Sequence, residues 1–172
     1  MKSKNKTKKF SHTTNEGLPQ MVDVSDKSVT KRVAKARATV RLGKEIMDLI
    51  HKEELITKKG PVFQTAIIAG VMAAKKTHEL IPMCHPLSLE DCKVKIYTQK
   101  DLAIINTEVT VTSKTGVEME ALTAAAVAAL TIYDMCKALS HDIVIEEIKL
   151  MEKTGGKSDF QFTGSNLGIG EK

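Results

Sequence analysis

Apolar and polar residues alternate one by one from Val33 to Leu42. Ala34, Ala36, Ala38, Val40 and Leu42 share one face, and Lys35, Arg37, Thr39 and Arg41 share the other. A period of two marks a strand buried on one side. Gly43 breaks it, and a short helix is expected over Lys44–Lys52, with Ile46, Leu49 and Ile50 inward. The loop Lys58-Lys59-Gly60-Pro61 leads into a second helix. Pro61 suits the first helical position, because the N–H it lacks would have no partner there. Phe63, Ala66, Ile67, Gly70, Val71 and Ala74 keep helical spacing until Pro82 closes the helix, leaving the turn Pro82-Met83-Cys84-His85-Pro86. Lys93–Thr98 and Ala103–Thr112 alternate again and read as strands joined at Lys100-Asp101. The second of these carries Ile105, Val109 and Val111 inward. Asp142–Glu152 is the last expected strand. Its apolar parity slips between Ile143/Ile145 and Ile148/Leu150, which calls for a bulge near Glu146-Glu147.

Val117–Ser140 differs from all of these. It holds no Pro or Gly and is rich in Ala, Leu and Met, so a long helix is expected, apolar over most of its circumference. At roughly 100° per residue, Asp134 falls about 40° from Glu120, with Thr123 and Thr131 near the same line, while Glu118 falls roughly 160° from Asp134. Lys137 lies one turn beyond Asp134. One polar seam therefore runs along a greasy helix; its angle favours Glu120 as the same-chain neighbour of Asp134, while Glu118 could reach a site formed with another subunit. An ordinary Asp134–Lys137 surface pair, contributing only ~0.2–0.5 kcal/mol, is the competing reading. The alternative is that charge on a mostly buried helix is there to move protons.

The element order β-α-α-β-β-α-β predicts an α+β, ferredoxin-like sandwich: a four-stranded antiparallel sheet with two long helices on one face plus a short extra helix. The apolar circumference of Val117–Ser140 needs cover beyond one chain, so a homo-oligomer is expected. Residues 1–20 read as a disordered Lys-rich lead, 21–160 as one folded domain and 161–172 as a flexible Gly-rich tail. Of the 26 Lys and Arg residues, Lys2, Lys4, Lys6, Lys8 and Lys9 lie in the first nine positions. Removing those five from 26 leaves 21 bases against 21 acids. The net charge of +5 thus belongs to a tail, and nucleic-acid binding is not expected of the body. Aromatics are only 3%, too few for the base-stacking sheet of an RNA-binding module. Cys84, Cys92 and Cys136 show no disulfide spacing, which suits a reducing cytoplasm. No run of 18 uncharged apolar residues predicts a membrane span.

Motif chemistry narrows the field. Gly155-Gly156-Lys157-Ser158 ends like a phosphate loop, but Met151 stands where the first glycine belongs. Lys153 and Lys157 remain candidates to meet a phosphate. His78-Glu79 starts a zinc-protease pattern that Pro82 defeats. Cys84, His85 and Cys92 lack a fourth ligand, so no metal site is expected. What is left is acid–base and anion chemistry by Asp134, Glu118, Glu120, Lys137, His85, Lys59, Lys153 and Arg32.

Four blocks, MVDVSDKSVTKRVAKARA, KKGPVFQTAIIAGVMAAKKTHELIPMCHPL, KTGVEMEALTAAAVAALTIYDMCKA and KTGGKSDF, resemble the signature blocks of the MoaC family, over about residues 21–160. These are the cyclic pyranopterin monophosphate synthases of molybdenum-cofactor biosynthesis. The resemblance implies a lyase that takes a cyclised dihydroguanosine triphosphate, made from GTP by a radical partner enzyme, and releases pyrophosphate. It implies a ferredoxin-like fold and a hexamer, a trimer of dimers with sites at subunit contacts. It implies Asp134 as catalytic acid/base with Lys137 as its partner, and Lys59 and Lys153 as functional lysines. Met83, Cys84, His85, Met119 and Glu120 would contact substrate, Glu118 would matter functionally, and Arg32 would meet the triphosphate. No cofactor is implied, and Mg²⁺ assistance is left open.

Overall fold

The computed structural model describes residues 18–164. Most of the expected lead and most of the tail therefore lie outside the described residues. The elements are β1 (Thr30–Arg41), α1 (Lys44–Met47), β2 (Ile56–Thr57), β3 (Gly60–Pro61), α2 (Val62–Lys75), α3 (Thr77–Leu80), β4 (Asp91–Gln99), β5 (Leu102–Ser113), α4 (Glu118–Cys136), β6 (Val144–Thr154) and β7 (Phe160–Gln161). The main sheet runs β4-β5-β1-β6-β7, with every pair antiparallel. The class is α+β, as expected. The sheet has five strands where four were expected, because Phe160 and Gln161 pair with Lys153 and Glu152 at its edge. Two residues inside a Gly-rich stretch carry no period for a sequence pattern to display.

β1 is the axis of the sheet. It pairs with β5 without interruption from Thr30↔Ser113 to Arg41↔Leu102, and with β6 on its other side. Ala34, Ala36, Ala38 and Val40 are buried beneath the helices. Their small side chains let α4 lie close over β1, and α2 packs beside α4 and reaches β4. The buried Thr107 hydroxyl of β5 donates to the Ala121 carbonyl of α4 at 2.8 Å, tying helix to sheet. The opposite sheet face is polar and is laced by Lys35–Glu152, Lys93–Glu108 and Arg41–Glu146 ion pairs.

The bulge expected in β6 is there: Thr39 pairs with Glu147 and Val40 with Ile145, leaving Glu146 extra. A second, unexpected bulge leaves Met151 extra between Leu150, opposite Ala36, and Glu152, opposite Lys35. One bulge alone would turn Glu152 toward the helices and Lys153 away. Two restore the parity, so Lys153 shares the helix-facing side with its partner Ala34.

The helices are shorter than the sequence suggests. The buried Thr77 hydroxyl donates to the carbonyls of Ala74 (3.0 Å) and Ala73 (3.4 Å), competing with the helix ladder. The single helix expected up to Pro82 is thereby divided into α2 and α3 at Lys76. Pro61 pairs in β3 and caps α2 from just outside it. α1 ends at Met47, short of the expected Lys52, and the chain then turns through Lys52 and Glu53, both at positive φ. By length and composition α4 could cross a membrane, but most of it is buried against the sheet and α2, the placement of a core helix. Ile68 (61% exposed) and Met72 (55%) on α2 and Leu130 (57%) on α4 remain open on the outer side of the helix layer.

Gly70 sets the spacing of α2 and α4. A Cβ there would lie 3.0 Å from the Ala124 carbonyl oxygen and 3.4 Å from the Ala128 Cβ. Gly70→Val should overpack this contact and cost about 1–3 kcal/mol. Thermal melting should show a drop of roughly 2–4 °C per kcal/mol. An unchanged melting temperature would mean the two helices separate freely.

Candidate active site

A cleft of about 620 Å³ opens at the N-terminal end of α4. Five segments line it. β1 sends Arg32 to the helix-facing side, in phase with Ala34. β6, brought into phase by its two bulges, sends Lys153, followed by Gly156 and Lys157. The turn after α3 contributes Met83, Cys84 and His85, and the first turn of α4 contributes Glu118, Met119 and Glu120. The segment before β1, which turns where the Lys27 N–H donates to the Val24 carbonyl at 3.1 Å, adds Val22, Val24 and Lys27. Arg32 is steadied by its Nε–H, which donates to the Ser113 carbonyl at 2.9 Å. Gly155, at φ +79, leads into the Lys157 loop, where a Cβ would strike the Lys31 carbonyl oxygen at 1.9 Å. Thr30 Oγ1 donates to the Gly155 carbonyl at 2.7 Å, and the Gly155 N–H donates to Asp159 at 3.1 Å.

The two glutamates of the cleft differ. Glu118 Oε1 lies 3.1 Å from Lys153 Nζ. Glu120 is 4% exposed and makes no ion pair among the described residues. Burial, aided by the nearby Glu118 charge, raises its pKa to about 7. Such a carboxyl can both take and give a proton near neutrality. Burial also raises the Cys84 thiol, with a smaller push from Glu120, so it is not an activated nucleophile.

Asp134, Lys137 and Lys59 lie elsewhere. The Lys58-Lys59 turn of the β2–β3 hairpin presents Lys59 Nζ at 2.7 Å from Asp134 Oδ2, and Lys137 Nζ sits 2.8 Å from Oδ1. Those hydrogen bonds, Lys137 first and then Lys59, lower the Asp134 pKa to about 2, and Asp134 in turn raises that of Lys137. Asp134 is half exposed. Fourteen residues of helix separate it from Glu120, roughly 21 Å along the axis. The two carboxylates of the seam expected on α4 are therefore not neighbours in one chain: Glu120 is buried and Asp134 half exposed. Glu118 and Glu120, in contrast, share one cleft. Of the other weighed candidates, Cys92 sits in β4 and does not line the cleft. Among the described residues no three His, Cys, Asp or Glu side chains are grouped to hold a metal ion.

The MoaC family model matches residues 21–156. This chain belongs to the MoaC family. It is 48% identical over 160 residues to the cyclic pyranopterin monophosphate synthase of Xanthomonas axonopodis pv. citri, covering 92% of this chain and 97% of that one. It is 51% identical over 153 residues to the cyclic pyranopterin monophosphate synthase of Shouchella clausii, covering 87% and 91%. A Synechocystis molybdenum cofactor biosynthesis bifunctional protein is 50% identical over 159 residues, and there the match spans 46% of the relative. Against the Dictyostelium discoideum molybdenum cofactor biosynthesis protein 1 it spans 26%. The matched region contains every candidate named above except Lys157. Lys27 was missed by sequence reasoning, because it sits in a turn with no periodicity to mark a face. The only signal for it was its place inside the first family-like block.

Glu120 gives a pH signature. Its folded pKa exceeds the ordinary 4.5, so its burial costs nothing below about 4.5, costs more as pH rises, and costs most above about 7. Glu120→Gln should therefore melt above the parent at pH 8, by up to ~3 kcal/mol, with the gap closing toward pH 5. A pH-independent difference in calorimetry would contradict a buried, charge-penalised Glu120.

Proposed function

We propose that the chain is a cyclic pyranopterin monophosphate synthase of molybdenum-cofactor biosynthesis. It would convert 3′,8-cyclo-7,8-dihydroguanosine 5′-triphosphate to cyclic pyranopterin monophosphate and pyrophosphate, acting as a phosphorus–oxygen lyase. One observation carries the reading. Arg32, Lys153, Lys157 and His85 converge on one cleft with a carboxyl whose pKa is held near 7. The names of the half-identical relatives support it.

In this reading a hydroxyl of the substrate attacks its own α-phosphorus, its proton passing to a carboxylate of the cleft, while the bond from that phosphorus to the oxygen bridging the α- and β-phosphates breaks. The cyclic phosphate closes and pyrophosphate leaves. The cleft cations neutralise the departing charge. Glu120 suits the acid–base work on the pterin precursor, and Met83, Cys84 and Met119 shape the wall beside it. Asp134 would act chiefly as the carboxylate that aligns Lys59 and Lys137. The cationic charge comes from side chains, so we assign the enzyme no cofactor of its own.

The working site is composite. The Asp134 cluster lies roughly 21 Å from the cleft along a helix that cannot bend without losing its core contacts. A second subunit must supply it, and the open Ile68, Met72 and Leu130 provide apolar surface for assembly. A hexamer, a trimer of dimers, is the assembly we favour. The core is ferredoxin-like, with β7 added at the edge. The enzyme would work in the cytoplasm, beside the radical enzyme that forms its substrate, without contact to nucleic acid or membrane.

Mass spectrometry of the product formed from the cyclised nucleotide tests the assignment. Asp134→Asn should leave the oligomer intact and lower turnover ~100-fold, because Lys59 and Lys137 lose their alignment. Co-expressing Asp134→Asn with Glu120→Gln should restore about a quarter of the sites, because randomly mixed dimers then contain one site with both native residues. Site complementation that fails entirely would place both residues in one chain's site.

A further inference from the structure

The Glu118–Lys153 pair is built on a missing side chain. A Cβ on Gly116 would fall 1.8 Å from Glu118 Oε2, 2.7 Å from its Cδ and 2.9 Å from Oε1. The whole carboxylate thus occupies the space that any other residue at 116 would fill. Gly116 is not among the glycines of positive φ, so its backbone does not require glycine. The requirement is space for the carboxylate, which from that seat reaches Lys153 at 3.1 Å.

We propose that Gly116 is a specificity-determining position. It seats the Glu118 carboxylate on Lys153 as an internal anion that an incoming phosphate group must displace. The charge distribution of the cleft supports this. Lys27, Arg32 and Lys157 line it without an ion pair among the described residues, whereas Lys153 is already neutralised. A phosphate-bearing ligand therefore finds three unneutralised cations and one that is occupied. Groups that reach only the first three bind without cost. A polyphosphate long enough to reach Lys153 does so by exchanging one anion for another, which keeps that lysine from capturing small anions. Both partners of the pair are about one-third exposed, so the exchange is shallow, worth about two- to fivefold in affinity.

This inference rests on the phosphate-binding reading of the cleft. The test is calorimetric titration of the full chain with inorganic pyrophosphate. In Gly116→Ala only the flexible end of Glu118 must move, so the fold is retained while the carboxylate is expelled. Gly116→Ala should bind pyrophosphate about two- to fivefold more tightly than the parent. Glu118→Gln, which keeps the shape and removes the charge, should show a similar gain. Both gains should vanish when Lys153→Met is added, completing a double-mutant cycle. Unchanged or weaker binding by Gly116→Ala, or a gain that survives loss of Lys153, overturns the seat while leaving the phosphate site standing. Failure of both parent and Gly116→Ala to bind pyrophosphate overturns both readings.

Discussion

The close approach of α4 to the sheet is the constraint on which the site depends. Ala34, Ala36 and Ala38 offer the helix a floor of methyl groups, and Gly70 lets α2 press on it from the side. Packed on two sides, α4 is a rigid rod of roughly 28 Å. Its first turn is fixed over the ends of β1 and β6, and its last turn is fixed beside the β2–β3 hairpin. Charge can be placed at either end with sub-turn accuracy because the middle has no freedom. The same rigidity keeps the two ends from meeting.

Each end handles charge differently. At the first turn Glu120 is driven toward neutrality by desolvation, the environment a proton-transfer group needs. Beside it Glu118 stays paired with Lys153. At the last turn Asp134 is exposed and doubly paired, so its proton affinity is lowered and it holds two ammonium groups beside it. In the proposed reaction, phosphate neutralisation and proton transfer would draw on these two kinds of carboxylate. One helix supplies them at opposite ends, and assembly of chains can bring them to one substrate.

Much of this was legible in the chain. Alternation named β1, β4, β5 and the start of β6, since a half-buried strand must alternate whatever surrounds it. The parity slip located the bulge at Glu146, and an unbroken Ala/Leu/Met run named α4. The polar residues on that run, with the family-like blocks, named most of the cleft. The sequence by itself therefore determined the main strands, the long helix and which polar side chains were candidates for the chemistry, because those depend on local period and residue type. Only the tertiary structure decided that Met151 bulges and turns Lys153 inward, that Thr77 breaks the second helix, and that Phe160 and Gln161 add a strand. It alone showed Glu120 buried in the cleft and Asp134 half exposed between Lys59 and Lys137. A helical wheel records angle and discards distance along the axis, and burial, ladder pairing and separation in space are set by residues far away in the chain.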